Sequence, residues 1–215
     1  MKNYSNRVLT VLAIIFLAGA VSAQGIQSNT EGFKLSVFGS VDKWDSNSFF
    51  IGDIAEDDSS GNGLGFDVAY GATESIEVFI SYSRIKFASG NEWNTYRTES
   101  IELGGRYYFG ASLQRWRPFA QAAIGSTSLK LDPVFVSEGG TTLYDDAEMI
   151  LRGLSFGVGA GVNYYITPEF SLGFNVSGKL GNYSSVKVNG NDYDPGDTVG
   201  FRFLSFRLAA TYLFY

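Results

Sequence analysis

From residue 33 to the end of the chain, apolar and polar side chains alternate with a period of two. Residues 154–180 show it most clearly. Leu154, Phe156, Val158, Ala160, Val162 and Tyr164 share one face, and Ser155, Gly157, Gly159, Gly161, Asn163 and Tyr165 share the other. After Thr167-Pro168-Glu169, Phe170, Leu172, Phe174, Val176 and Leu180 resume the apolar face opposite Ser171, Gly173, Asn175, Ser177 and Lys179. Period two is the signature of a strand with two unlike faces. The pattern predicts eight strands, over 33–44, 63–72, 75–87, 97–109, 117–129, 153–165, 169–180 and 201–214. The fifth has the weakest alternation, because Phe119 and Gln121 share a face.

The composition of the polar face decides which way the strands point. A soluble barrel turns its apolar face inward and covers itself with Lys and Glu. Here the polar face is mostly Gly, Ser and Ala, with a few charges of both signs: Asp67, Glu77 and Glu102 against Arg106, Lys179 and Arg207. Small side chains and paired charges suit the narrow interior of an eight-stranded barrel. An arginine facing mid-bilayer lipid costs about 2–4 kcal/mol, and the basic residues just named fall on the inward face. The apolar face therefore points to lipid.

The connections alternate in length. Residues 72–75, 110–116 and 166–168 are short, whereas 45–62, 88–96, 130–152 and 181–200 are longer. In an up-and-down barrel this gathers the long loops at one end and the termini at the other, as in outer-membrane barrels. Tyr107, Tyr108, Phe109, Tyr164, Tyr165, Phe170, Tyr212 and Phe214 lie near the short-turn end. Trp44, Phe87, Trp93 and Tyr96 lie near the other, and the two groups are expected to form aromatic girdles. Residues 1–23 carry Lys2 and Arg7, then "VLTVLAIIFLAGA", then "VSA" before Gln24: the layout of a cleavable signal peptide. Removing it takes the net charge from −6 to −8, since two cations leave. An acidic exported chain is a poor partner for nucleic acid.

Candidate chemistry is sparse. The chain has no histidine and no cysteine, which excludes imidazole bases, thiol nucleophiles and disulfides. Gly157, Gly159 and Gly161 approach a dinucleotide loop, but Val162 follows where the pattern needs its final glycine region and a helix. Gly173 to Gly178-Lys179 approaches a P-loop, but Leu180 stands where Ser or Thr should bind magnesium. The acidic run 53–63, with Asp53, Glu56, Asp57 and Asp58, lacks EF-hand spacing and reads as a solvated loop. No cofactor, metal or catalytic residue is expected. Asp67, Glu77, Glu102, Arg106, Lys179 and Arg207 are expected to form a structural charge network in the lumen, because buried charges are normally paired.

"ELGGRYYF" (102–109), "RPFAQAAIG" (117–125), "GVGAGVNYYITPEFSLGFNVSG" (157–178) and the closing "FRLAATYLFY" resemble the small outer-membrane β-barrel family. That family comprises the outer membrane protein A-like transmembrane domains and the opacity-type porins. The resemblance implies an all-β, eight-stranded antiparallel up-and-down transmembrane barrel over 24–215. It also implies insertion into the bacterial outer membrane by the barrel assembly machinery, which reads a C-terminal aromatic strand: here Tyr212, Phe214 and Tyr215. No counterpart of the peptidoglycan-binding domain of some relatives is visible. The expected function is non-enzymatic: envelope integrity, or contact with an extracellular ligand or surface through loops 45–62 and 130–152. A soluble, exported, lipocalin-like ligand-binding barrel is the alternative, with a narrow pore or a barrel enzyme behind it.

Overall fold

The computed structural model describes residues 28–46, 60–87, 95–138, 141–193 and 199–214, with side chains left out for 135–145. Residues 1–27, 47–59, 88–94, 139–140 and 194–198 and Tyr215 lie outside the described residues.

The described residues form nine strands: β1 (Gly32–Ser46), β2 (Ser60–Gly71), β3 (Ile76–Phe87), β4 (Thr95–Tyr108), β5 (Trp116–Glu138), β6 (Thr141–Tyr165), β7 (Phe170–Val188), β8 (Asn191–Tyr193) and β9 (Val199–Phe214). The pairing order is β6-β5-β4-β3-β2-β1-β9-β7, and β6 also pairs with β7. The sheet thus closes on itself into an antiparallel barrel of eight wall strands. The short β8 pairs only with the upper part of β7. Closure leaves no unpaired edge within the lipid zone, which hydrocarbon requires of any spanning sheet.

Hydroxyl groups shape two of the tight turns in the same way. Thr73 Oγ accepts from the backbone N–H of Ile76 at 3.0 Å, and Thr167 Oγ accepts from Phe170 N–H at 3.0 Å. In each, the side chain supplies a turn bond that the backbone would otherwise lack. The glycines of β4 and β6 serve packing. A Cβ on Gly104 would sit 2.5 Å from the Phe79 ring, and one on Gly161 would sit 2.5 Å from the Phe119 ring. Inward-facing rings lie across glycine because the lumen has no other room. Both glycine-rich near-motifs lie inside β6 and β7, with no helix beside them among the described residues.

The lower part of the wall is apolar outside and polar inside. Leu64, Leu154 and Leu208 are 74%, 76% and 68% exposed, while Ser36, Ser81 and Ser171 of the same strand set are buried. That arrangement is the reverse of a lipocalin-like barrel. β5 keeps the alternation as well: Phe119, Gln121 and Ala123 face inward, and Ala120, Ala122 and Ile124 face out. The outward apolar run of β6, 154–164, spans about 25 Å at about 3.3 Å per residue and about 40° of tilt. This matches the apolar band of an outer-membrane barrel.

Above that band the two faces exchange character. β3 reads Ile76, Val78, Ile80 and Tyr82 outward, then Arg84 and Lys86 outward; its inward side runs Glu77, Phe79, Ser81 and Ser83, then Ile85 and Phe87. No residue is skipped, so the strand parity holds while the polarity inverts. The inward residues of this upper zone form one core, including Trp44, Leu131, Met149, Leu151, Val188 and Phe203.

This upper zone corrects the expected loops. Segment 130–152 is not a loop: β5 continues to Glu138 and β6 begins at Thr141, so it forms a long hairpin. Segment 181–200 is likewise strand through Val188 and at β8. Of segment 45–62, residues 45–46 and 60–62 are strand, and the middle lies outside the described residues. The girdle assignment changes too. Trp44, Phe87 and Tyr96 are buried inside the barrel, and Trp93 lies outside the described residues. Tyr108 and Tyr165 are also inward, because each has the parity of the lumen face. The outward aromatics at the short-turn end pair side by side. Tyr107 with Phe109, Trp116 with Tyr164 and Tyr212 with Phe214 have ring centroids 4.6–5.2 Å apart.

Candidate functional site

The lumen is filled in four tiers. At the short-turn mouth, Arg117 is fully buried and Ser28, Asn29 and Thr30 pack beside it. Its guanidinium donates to Asn29 Oδ1 at 2.9 Å, to Thr30 Oγ and to the carbonyls of Glu74 at 2.8 Å and Gly110 at 3.4 Å. One side chain therefore ties the N-terminal segment to two turns.

The next tier is built from adjacent strands. Register places Glu77 of β3 opposite Arg106 of β4. Arg106 donates to Glu77 at 2.8 Å, to Asp67 at 2.5 Å and to Gln121 at 2.9 Å. Lys34 donates to the other Glu77 oxygen at 2.7 Å, and Tyr108 donates to it at 3.2 Å. Glu77 has no exposed surface, so its charge is balanced entirely by these neighbours.

A second charged tier lies above. Lys179 approaches Glu102 at 3.0 Å and donates to Ser100 at 2.9 Å, while Arg207 lies 3.7 Å from Glu102. Asp42 accepts from Ser40 at 2.5 Å and from Ser205. The six charged residues singled out in the sequence are therefore all inside, but they form two networks rather than one. Asp67, Glu77 and Arg106 belong to the lower, and Glu102, Lys179 and Arg207 to the upper.

Each lumen cation also lies over a ring. Arg106 sits 4.2 Å from the Phe79 centroid, Arg207 4.8 Å from Phe38, Lys34 and Arg117 5.0 Å from Tyr108, and Lys179 5.5 Å from Phe203. These contacts partly replace the water the cations lose.

The fourth tier is the apolar core of the upper zone, which fills the lumen above the charges. Inside it, burial pushes the Tyr183 phenol well above its ordinary pKa, aided by Tyr96 nearby. The lumen cavity among the lower charges has room for about one water molecule, some 30 Å³. Ser100 with Lys179 is a serine–lysine contact, but Lys179 is engaged by Glu102 and the pair is closed off at both ends. Among the described residues, no group of three or more acidic side chains could hold a metal.

Sequence reading missed Lys34, Arg117, Tyr108 and Asp42 as lumen groups. The signal was available for at least three of them: Lys34 and Asp42 share the parity of Ser36 and Ser40 in "FKLSVFGSVDKW", and Tyr108 shares that of Glu102 and Arg106. Of the C-terminal aromatics, Tyr212 and Phe214 face outward at the short-turn end, and Tyr215 lies outside the described residues.

A closed eight-stranded wall, a lipid-wide apolar band and a side-chain-filled lumen define the fold of a small outer-membrane β-barrel, and one solved structure shares that fold. Neisserial surface protein A, from Neisseria, superposes with a TM-score of 0.59 at 17% identity, covering 86% of this chain and 98% of that one. The outer membrane protein AlkL, solved in lipid bilayers, gives 0.48 at 15% identity over 89% of this chain and 94% of its own. OprG of Pseudomonas aeruginosa gives 0.46 at 12%, over 89% and 100%. No protein-family model matches the chain, and no curated protein sequence matches it significantly. Identities this low speak for the fold alone.

Proposed function

We propose that this is a non-enzymatic barrel of the bacterial outer membrane that works at the cell surface, in envelope integrity or in contact with an outside ligand. In this reading residues 1–23 direct export and are removed. The assembly machinery then reads Tyr212, Phe214 and Tyr215. The observation that carries the reading is the upper zone. Its strands leave the lipid band as a closed wall, charged outside and apolar inside, so a rigid stub stands in water above the membrane. A sealed lumen argues against diffusion, and the enclosed Ser100–Lys179 pair argues against hydrolysis of an external substrate.

The chain has no cysteine, so single cysteines report position cleanly. Ile150→Cys, outward in the upper zone, should react with a membrane-impermeant maleimide on intact cells. Val158→Cys, in the band, should not. The unboiled protein should run at a different mobility in SDS from the boiled one, and the purified barrel should give no conductance step in planar bilayers. A protein found in the soluble periplasm, or a steady ion current, would contradict the proposal.

A further inference from the structure

The wall strands form a ring in which β5 stands opposite β1, reached through β2, β3 and β4 one way and through β9, β7 and β6 the other. The chain just before β1 crosses that diameter. Ser28, Asn29 and Thr30 are buried over the short-turn mouth, and Arg117, at the start of β5, holds Asn29 and Thr30 from the far wall. The β4–β5 turn adds a second hold, because Asn29 Nδ2 donates to the Gln114 carbonyl at 3.4 Å. Ser28 shapes the crossing segment: its Oγ accepts from the backbone N–H of Thr30 at 3.2 Å and of Glu31 at 3.4 Å. The ladder pairs of β1 begin only at Gly32, so strand pairing does not require residues 28–31 to lie there.

The wall leaves room for this segment. A Cβ on Gly71 would sit 1.8 Å from the Thr30 carbonyl oxygen and 2.6 Å from its carbon, both backbone atoms. No rotamer relieves such a contact, so the missing side chain at 71 is the space the segment occupies. The hold itself is polar and uncharged on one side. Arg117 directs its Nη hydrogens to Asn29 Oδ1, Thr30 Oγ and two backbone carbonyls, and among the described residues it forms no ion pair. Glu77, one tier up, is held by ion pairs to Lys34 and Arg106. Parting a cation from a neutral oxygen costs less than breaking a buried ion pair. Of the layers that fill the lumen, the crossing segment is therefore the one that gives way most easily.

We propose that residues 28–31 are a releasable plug of the periplasmic mouth, latched by Arg117, whose release opens the lower charged tier to the periplasm alone. Release breaks no wall pair, because the plug is held by side chains and turns rather than by the strand ladder. The apolar core above the charges stays in place, so the released state is a pocket open at one end and not a pore. The proposal rests on the membrane-inserted barrel but not on the surface role proposed above.

The test uses the full barrel in zwitterionic nanodiscs, where both ends meet solvent. Ser171→Cys, a near-isosteric change at the buried second residue of β7, reports access of a small methanethiosulfonate reagent to the lumen. In the otherwise unchanged chain labelling should be slow. Labelling through a transient opening follows the open population, and one hydrogen bond to a charged donor moves that population about tenfold. Asn29→Ala should therefore speed labelling about tenfold, and Asn29→Ala with Thr30→Ala about 100-fold. Arg117→Met, which removes the latch without leaving a buried charge unpaired, should match that double variant. Adding it to the double variant should bring less than about threefold more, because both break the same contact. Gly71→Ala, which leaves latch and plug residues unchanged, should also speed labelling. Leu151→Ala, in the upper core, should change it less than about threefold. Every plug variant should keep the heat-shifted mobility and pass no current in planar bilayers. Fast labelling in the unchanged chain, plug variants that label no faster, or Leu151→Ala labelling as fast as they do overturns the proposal. A steady current from a plug variant also overturns it, because the released state would then be a pore. So does loss of the heat-shifted mobility in every plug variant, since residues 28–31 would then hold the wall together rather than cover its mouth. Loss of that shift in the unchanged chain would contradict the membrane reading instead.

Discussion

Leu151 and Leu154 lie three residues apart on β6, on opposite faces of the wall and in different zones. Leu151 has no exposed surface, and Leu154 is 76% exposed. The first belongs to the core of the upper zone and the second to the lipid-facing band. One continuous wall thus obeys two opposite rules. Where lipid surrounds it, the outside is apolar and the narrow inside holds paired charges. Where water surrounds it, the outside is charged and the inside is an ordinary apolar core. On β3 and β4 pairing and parity run unbroken through the change, so side-chain chemistry alone marks the boundary there; between β6 and β7 a register shift at Arg152/Gly153 accompanies it, and the inward positions of β7 pass from Lys179 and Tyr183 to Val186 and Val188. The boundary falls at similar heights on neighbouring strands, at Tyr82 to Arg84 on β3, Ile101 to Glu99 on β4 and Leu154 to Arg152 on β6.

The contrast is testable from its strongest consequence to its weakest. Glu77→Gln should be the most damaging change, because it removes the carboxylate that pairs with Lys34 and one of the two that pair with Arg106. Removing one member of a buried ion network costs about 3–5 kcal/mol. Adding Lys34→Met should recover part of the loss in denaturant unfolding from vesicles, and an additive double variant would show that the two do not act together. Leu151→Ala should cost about 2–5 kcal/mol as a core cavity. Leu154→Ala should cost under about 1 kcal/mol, because lipid fills the space and a leucine gains little there. Equal costs would mean that the two zones are not distinct. Val158→Arg, in the band, should cost about 2–4 kcal/mol. Ile150→Arg, outward in the upper zone, should stay within about 0.5 kcal/mol. At the boundary itself, Arg84 and Glu99 are both more than a third exposed, so Glu99→Gln should change stability by less than about 1 kcal/mol.

The lipid-zone half of this molecule was legible in the sequence, and the water-zone half was not. In "LSFGVGAGVNYY" one face is continuously apolar and the other small, so period two is plain. In "LKLDPVFVSEGGTTLYDDAEMILRG" the alternation of Leu129, Lys130 and Leu131 survives, but its polarity is reversed, and Pro133, Gly139 and Gly140 read as breakers. Judged by the rule of the band, the segment looks like a polar loop. The same reversal misassigned Trp44, Phe87 and Tyr96, whose aromatic character suited an interface while their parity placed them inside. The lumen charges were legible as a set, since each broke an otherwise small, polar face. Their division into two tiers was not, because it depends on which strands neighbour each other at which height. That information lies in the register: Glu77 faces Arg106 across β3 and β4, while Asn175 faces Arg207 across β7 and β9.

The central claim is the inversion of polarity at one height of one wall. A spin-label scan of the outward positions of β6, at 148, 150, 152, 154, 156 and 158, tests it in lipid vesicles. Each label is scored by its collisions with oxygen, which dissolves in lipid, and with a water-soluble nickel chelate. The account predicts that the nickel chelate dominates through position 152 and oxygen from position 154 onward. A scan in which oxygen dominates from 148 to 158, or in which the crossing falls well inside 154–158, would contradict it.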